Sequence, residues 1–236
     1  MDYFRNIVLV AAIAGVLAGL GMTVAQQLTT VPLILKAEVY EEQGATAAHD
    51  HGDAAAQPAA HEHGDEGWQP ADGFERTAFT LLANIVTGVG FALLLVAASE
   101  LAGGITSWRQ GVFWGLAGFA VFTLAPSLGL PPELPAMPAA ELGARQLWWV
   151  ATAFSAAAAL ALVFYGRTPF AIVAAVALLV APHLIGAPEP ASYDTPIPEG
   201  LHHSFVVAVV LTALLFWVLL GALAGLFRER FIHASG

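Results

Sequence analysis

Six long apolar stretches dominate the sequence and restrict what the chain can fold into. They run approximately over residues 6–28, 77–99, 110–128, 146–165, 168–185 and 204–227. Each is close to the ~20 residues that a helix needs to cross the hydrocarbon of a bilayer. Only 11% of the residues are charged, against roughly 25% in a soluble domain. The sequence therefore predicts an all-α, polytopic membrane helix bundle of about six transmembrane helices, with residues 1–236 forming a single integral membrane domain.

The basic residues beside these stretches predict the orientation. If the N-terminus is inside, the inner segments hold Arg5, Arg109, Arg167, Arg228 and Arg230, and the outer segments hold Lys36, Arg76 and Arg145. Because basic residues are enriched on the cytoplasmic side of membrane proteins, we expect a multi-pass protein of the inner (cell) membrane with both termini cytoplasmic. The alternative is that the first stretch is a secretory signal cleaved after residues 23–25, which would leave five spans.

What the sequence lacks argues against other function classes. The net charge of −10 opposes nucleic-acid binding, which requires clustered lysine and arginine. The absence of cysteine removes disulfides and thiolate metal sites. The sequence contains no phosphate-binding Gly-x-x-x-x-Gly-Lys-Ser/Thr loop and no His-Glu-x-x-His or Gly-x-Ser-x-Gly motif. We therefore expect neither an enzyme nor an organic cofactor.

The segment 41–75, between the first two apolar stretches, is rich in histidine and acid. Its centre, HDHGDAAAQPAAHEHGDE (residues 49–66), holds four of the eight histidines: His49, His51, His61 and His63. Two histidines at i and i+2 can chelate one ion, and imidazole with carboxylate suits Co²⁺, Ni²⁺, Zn²⁺ or Cu²⁺. Because the segment has no residues that could build a core, we expect an external loop, disordered without metal, that captures ions. The alternative is a solvated acidic linker in which the histidines have no role.

Polar residues inside the apolar stretches are few and are therefore functional candidates. They include Gln26, Gln27, Asn84, Glu100 and His183. His183 follows Pro182, which interrupts the helix and frees a backbone carbonyl, as happens at ion sites in transporters. The alternative is that His183 caps the outer end of its helix and bonds to a neighbour.

Three Gly-x-x-x-Gly patterns predict close approach of helix backbones. They are Gly15/Gly19, Gly111/Gly115 and Gly221/Gly225. These patterns concern packing rather than chemistry, and assembly into an oligomer stays open.

Segments along nearly the whole chain, in order, resemble the CbtA family of predicted cobalt transporter subunits. The resemblance is carried by QQLTTVPLILKAEVYEE (26–42), GWQPADGFERTAFTLLANIVTGVGFALLL (67–95), GLAGFAVFTLAPSLGLPPELP (115–135), ARQLWWVATA (144–153) and PHLIGAPEP (182–190). It implies an inner-membrane protein with five or six spans and a histidine-rich loop after the first. It also implies a small single-span partner subunit, CbtB, and Co²⁺ as the ion carried, with Ni²⁺ or Zn²⁺ as the alternatives.

Two functions then compete. In the first, a transporter subunit moves Co²⁺ inward from the loop to a ligand shell at the outer mouth, formed by Glu38, Glu41, Glu133 and His183. Carboxylate and imidazole with water would complete such a shell; alternatively, Glu38 or Glu133 pairs with Arg76 or Arg145 and clamps the outer loops. In the second function, a membrane binding or assembly subunit buffers or senses metal without transporting it.

Overall fold

The computed structural model describes residues 2–49 and 70–232, and within these two ranges every regular element is a helix. In chain order the elements are α1 (Asp2–Leu28), α2 (Val31–His49), α3 (Phe74–Leu101), α4 (Trp108–Phe119), a π-helix (Ala120–Leu124), α5 (Ala125–Ser127), α6 (Leu142–Tyr165), α7 (Pro169–Ile185) and α8 (Glu199–Ile232).

The predicted apolar stretches all fall on helices. By length and composition α1, α3, α6 and α8 can cross a membrane, and α7 is a shorter apolar helix. The third stretch is divided among α4, the π-helix and α5. The prediction of an all-α membrane helix bundle is confirmed, with the number of spans approximate.

The outward surface of these helices is strongly apolar. The side chains of Phe113, Phe154 and Phe170 are 71%, 74% and 84% exposed, as are many large aliphatic residues. Water would penalise such a continuous apolar surface. Lipid is the solvent that fits it.

Both ends of the described chain meet at one end of the bundle. The Asn6 side-chain amide donates to the Phe231 carbonyl at 3.2 Å. We call this end the terminal end, and the opposite end, which carries α2, the loop end.

A two-residue turn, Thr29 and Thr30, separates α1 from α2. Pro32 has no N–H with which to bond the Leu28 carbonyl, so α1 stops at Leu28. The second helix then continues to His49, whereas the histidine-rich loop was predicted to begin at residue 41. At its other end the loop is also shorter than predicted, because α3 begins at Phe74. The predicted disorder of the rest of the loop concerns residues outside the described ranges and stays a prediction.

Glycines bring α1 and α3 into backbone contact, and we call these two helices the first helix pair. A Cβ on Gly15 would lie 2.7 Å from the Gly88 carbonyl carbon, and a Cβ on Gly19 would lie 2.8 Å from the Ile85 Cα. Atoms in proteins do not approach so closely, so only glycine fits at this spacing.

The second helix pair, α4 and α8, is built in the same way. A Cβ on Gly221 would lie 2.9 Å from the Gly115 Cα, and a Cβ on Gly225 would lie 2.8 Å from the Trp108 Cα. Gly111 faces Gly221. All three predicted Gly-x-x-x-Gly patterns are thus used for packing inside the chain.

The two helix pairs meet mainly through side chains. The Phe91 ring of α3 lies 4.8 Å from the Trp217 ring of α8, centroid to centroid. At the loop end, the hydroxyls of Thr29 and Thr212 lie 3.2 Å apart. The buried core between the pairs is formed mainly by alanine, valine, leucine and aromatic side chains.

Helices α6 and α7 form a hairpin, of which α6 packs on the π-helix. Pro182 lacks the N–H that would bond the Leu178 carbonyl. The Ser155 hydroxyl of α6 donates to that carbonyl instead, at 2.6 Å. The Trp148 indole N–H donates to the Pro182 carbonyl at 3.2 Å. The Ser155 hydroxyl therefore replaces the bond that the proline removes, and Trp148 adds a second link between α6 and α7.

Candidate metal-capturing face and polar sites in the bundle

The loop end is covered by a small hydrophobic cap. Ala37 of α2 is buried against Leu134, Ile197 and Phe205, which come from two interhelical connections and the start of α8. This packing holds α2 across the end of the bundle. The residues leading into the histidine-rich loop therefore start from a fixed position.

Glu38, a predicted metal ligand, is engaged in an ion pair. Its carboxylate lies 2.9 Å from the Arg76 guanidinium. Arg76 also lies 3.1 Å from the Asp72 carboxylate. The pair links α2 to the start of α3, as the alternative for this residue predicted. Glu41, one helical turn further along α2, is exposed.

Glu133 is engaged in the same way. Its carboxylate lies 2.8 Å from the Arg145 guanidinium in the first turn of α6. The His202 Nε2 lies 3.1 Å from the neighbouring Pro132 carbonyl oxygen. These contacts fasten the α5–α6 connection to α6 and α8, so Glu133 also serves as a clamp in this structure.

Glu141 begins α6 at the loop end as its N-cap. Its carboxylate oxygens accept hydrogen bonds from the Gly143 and Ala144 amides at 2.8 and 2.6 Å. These bonds favour the charged carboxylate and lower the pKa of Glu141 below its usual value. The side chain is exposed and its role is to start the helix.

His183 has both ring nitrogens next to backbone carbonyls. Nδ1 lies 3.0 Å from the Leu179 oxygen, and Nε2 lies 3.0 Å from the Ala125 oxygen. The ring meets the edge of Trp148 at a centroid distance of 5.7 Å. His183 thus ties the end of α7 to α5, as the capping alternative predicted, and a metal ion would have to displace one of these contacts.

The structure does not bring the predicted ligand shell together. Within residues 2–49 and 70–232, no group of three or more histidine, aspartate or glutamate side chains could hold a metal ion. Glu38, Glu41, Glu133 and His183 therefore do not form a shared shell here. Of the loop histidines, His49 ends α2, and His51, His61 and His63 lie outside the described residues.

A neutral polar cluster joins the two helices of the first pair near the loop end. The Asn84 amide nitrogen donates to the Thr23 hydroxyl at 3.0 Å and to the Gln26 side-chain oxygen at 2.6 Å. Gln26 and Asn84 were recognised in the sequence as unusual polar residues, and their partnership could not be predicted. Hydrogen bonds of this kind hold membrane helices together.

A charged cluster at the terminal end was not predicted as a unit. Arg228, only 5% exposed, donates to both oxygens of Glu100, from Nε at 2.8 Å and from Nη2 at 3.2 Å. Its Nη1 donates to the Ile105 carbonyl, and the Tyr3 hydroxyl donates to Glu100. Since an acid in an apolar helix requires a partner, the position of Glu100 was the signal that could have pointed to Arg228.

Comparison with known proteins gives one match. The profile of the family described as "Probable cobalt transporter subunit (CbtA)" matches residues 4–229. No curated protein and no solved structure matches the chain.

Proposed function

The chain belongs to the CbtA family of probable cobalt transporter subunits, and from this membership we propose that it carries Co²⁺ inward across the inner membrane. The observation that carries the proposal is the extent of the family match, which covers residues 4–229. The apolar outward surface of the bundle supports it, because a transporter must lie in the membrane. As a subunit it works with a partner, for which we propose a small single-span CbtB-like protein. Ni²⁺ and Zn²⁺ are the alternative substrates.

We further propose that the terminal end of the bundle faces the cytoplasm. Five of the eight basic residues belong to this end: Arg5, Arg109, Arg167, Arg228 and Arg230. The membrane potential, negative inside, pulls a divalent cation towards this end, with about 4.6 kcal/mol available per 100 mV for two charges. A reporter fused after Arg109 or Arg230 should be active in the cytoplasm, and one inserted near Gly64 should not. Cytoplasmic activity at Gly64 would reverse the proposed orientation.

The histidine-rich loop is proposed to collect metal ions before transport. Support comes from the recurring His-x-His units, each enclosing a carboxylate, since these groups suit Co²⁺ and its neighbours. Replacing His49, His51, His61 and His63 by alanine should weaken metal binding at low concentration. The melting temperature without metal should not change, because a segment without core residues adds little stability. A marked fall in that temperature would instead assign the loop a structural role.

Capture by the loop should also depend on pH. A protonated imidazole cannot ligate a metal, so binding should fade below about pH 6. Isothermal titration of the purified chain with Co²⁺, Ni²⁺ and Zn²⁺ measures this pH dependence and ranks the three ions. The titrations are made at about pH 5.5 and about pH 7.5, below and above the reference pKa of histidine, about 6.5. The variant with four alanines is the matched control.

Transport itself is tested by uptake of labelled cobalt into proteoliposomes. The chain is reconstituted alone and with its partner subunit, and a membrane potential is imposed. Faster uptake than in protein-free vesicles is expected, and a reversed potential should abolish the excess. Equal uptake with and without the protein, in the presence of the partner, would refute the transport function.

A second function is supported by a specific observation. The described residues contain no group of three ligand side chains, and Glu38 and Glu133 are each held by an arginine. A membrane subunit that binds or senses metal through its loop, and recruits a partner without moving the ion, has no need of a ligand shell inside the bundle. It predicts metal binding without flux.

A further inference from the structure

The core of the bundle consists of two rigid bodies. Within the first helix pair, Gly15 and Gly19 let the α1 backbone touch that of α3; within the second, Gly111 and Gly221 do the same for α4 and α8. Backbone contacts of this kind leave no room for either helix to shift against its partner. Motion within a pair is therefore strongly restricted.

The interface between the two pairs is of a different kind. Here a Cβ on Gly21 would meet the flexible end of Leu219 rather than backbone, and the rings of Phe91 and Trp217 are tilted at 55°. Side chains can repack when two bodies rock against each other, as helix bundles do in transporters. The junction between α3 and α4 contains Gly103 and Gly104, both with positive φ, 94° and 80°. Such a junction can act as a hinge between the pairs.

The Glu100–Arg228 pair joins these two bodies at the terminal end. Glu100 lies on α3 of the first pair and Arg228 on α8 of the second. The other ion pairs described above do not join them: Glu38–Arg76 links α2 to α3, and Glu133–Arg145 lies within the α5–α6 region. Tyr3 of α1 adds a hydrogen bond to Glu100.

The hinge itself is shaped around the arginine. A Cβ on Gly104 would lie 2.5 Å from the Arg228 Cζ, and the Ile105 carbonyl accepts a hydrogen bond from the same guanidinium. The α3–α4 junction thus adopts its present conformation with Arg228 inserted. Withdrawal of the guanidinium would release the hinge and the contact between the pairs together.

An ion pair at this depth is better suited to switching than to permanent fastening. The side chain of Arg228 is 6% exposed and that of Glu100 is 22% exposed, so both charges are largely removed from their surroundings. The loss of hydration on pairing largely offsets the attraction, and apolar residues often stabilise such a position as well or better. The paired state is therefore favoured over the hydrated state by less free energy than the attraction alone would supply.

We propose that Glu100 and Arg228 form a gate, which holds the two helix pairs together at the terminal end and admits water into the interface between them when the ion pair separates. Calling this gate the inner gate of a transporter depends on the proposed function. The opening of the gate does not depend on the proposed function, and it can be measured without cobalt.

The absence of cysteine allows a direct accessibility test on the full chain in membrane vesicles. Val96, one helical turn from Glu100, is completely buried in the core between the pairs. Ala153, on α6, is 4% exposed and packs on the π-helix, away from the gate. Cysteine is introduced at one of these positions at a time, and a membrane-impermeant maleimide is applied to the terminal-end side.

Neutralising the acid should open the gate. Glu100→Gln removes the charge that retains Arg228, and labelling at Val96→Cys should rise about ten-fold or more, because hydrogen bonds to charged groups change an equilibrium by about that factor. Ala153→Cys should stay protected. Glu229→Gln, which neutralises an exposed acid beside Arg228, is the matched control and should leave labelling unchanged.

Two labelling results would contradict the gate. Labelling of both cysteines would mean that Glu100→Gln unfolds the protein, so that the pair is structural. Labelling of neither would mean that the two helix pairs stay together without the charge. If cobalt uptake is absent while Val96→Cys is labelled as expected, the proposed function fails and the gate stands.

Discussion

The backbone contact between α1 and α3 predicts a large difference between two glycine substitutions. Gly19 is buried against α3, where an added Cβ would lie 2.7 Å from the Asn84 oxygen and 2.8 Å from the Ile85 Cα. Gly90, on α3 itself, has nothing within 4 Å of its Cβ position. Both residues lie inside helices, so replacement by alanine brings the same gain in helix propensity, about 0.8–1.0 kcal/mol. The difference between the two variants therefore isolates the contact.

The size of this stability difference follows from the distances between the added Cβ and the atoms of α3. Carbon atoms in contact prefer about 3.5–4.0 Å, so Gly19→Ala requires the helices to separate by about 1 Å. Such a gap removes a quarter to a half of the dispersion energy of each atom pair, which is about 0.1–0.2 kcal/mol at the preferred distance. For about 40 atom pairs, the number that one buried leucine makes, the loss is about 1–4 kcal/mol. This agrees with the cost of overpacking, about 1–3 kcal/mol.

The assay is unfolding in mixed micelles with increasing sodium dodecyl sulfate, followed by circular dichroism. We expect Gly19→Ala to be less stable than Gly90→Ala by about 1–3 kcal/mol, with Gly90→Ala no less stable than the parent chain. Equal stability of the two variants would show that α1 and α3 are not in backbone contact and would remove the first helix pair as a rigid body.

Two further predictions concern α6. Ser155→Ala should lower the free energy of unfolding by about 0.6–1.7 kcal/mol, because it leaves the Leu178 carbonyl without a hydrogen bond. In a Pro182→Ala background the restored amide bonds to this carbonyl, so the same substitution should lower the stability less. An equal loss of stability in both backgrounds would contradict this account. Because the pKa of Glu141 is lowered in the folded chain, its stabilisation of the start of α6 is present above the unfolded value of about 4.3 and is lost as pH falls through the lower folded value. Amide exchange in the first turn of α6 should therefore differ between the parent chain and Glu141→Gln at pH 6, and this difference should disappear in strong acid; a difference that persists there would refute it.

The sequence located the membrane helices because length and apolarity are decided locally. The six apolar stretches all coincide with helices. Pro32 ends α1 because it has no N–H with which to continue the helical hydrogen bonds. The placement of α2 could not be predicted, because it depends on the packing of Ala37 against three distant parts of the chain. The π-helix was also not predicted, since neither composition nor periodicity marks its position.

The arrangement of charged side chains could be predicted only as alternatives. Glu38 and Glu133 lie at the same end of the bundle, and the sequence could assign each to a metal or to an arginine. The choice of arginine depends on how closely Arg76 and Arg145 approach, which only the assembled helices determine. Likewise Glu100 and Arg228 are separated by 128 positions, and no local pattern connects them.

The packing of α8 has a consequence for how the protein is made. This helix, the last in the described chain, contacts α1 through Leu219 and α4 through Gly221 and Gly225. During synthesis α1 and α3 can associate as soon as α3 has left the translocon, but the glycine face of α4 must wait in lipid until α8 is inserted. A nascent chain therefore remains an incomplete assembly until α8 is inserted. A messenger truncated within that helix would yield a polypeptide with an unpaired α4, which membrane quality control can recognise and degrade.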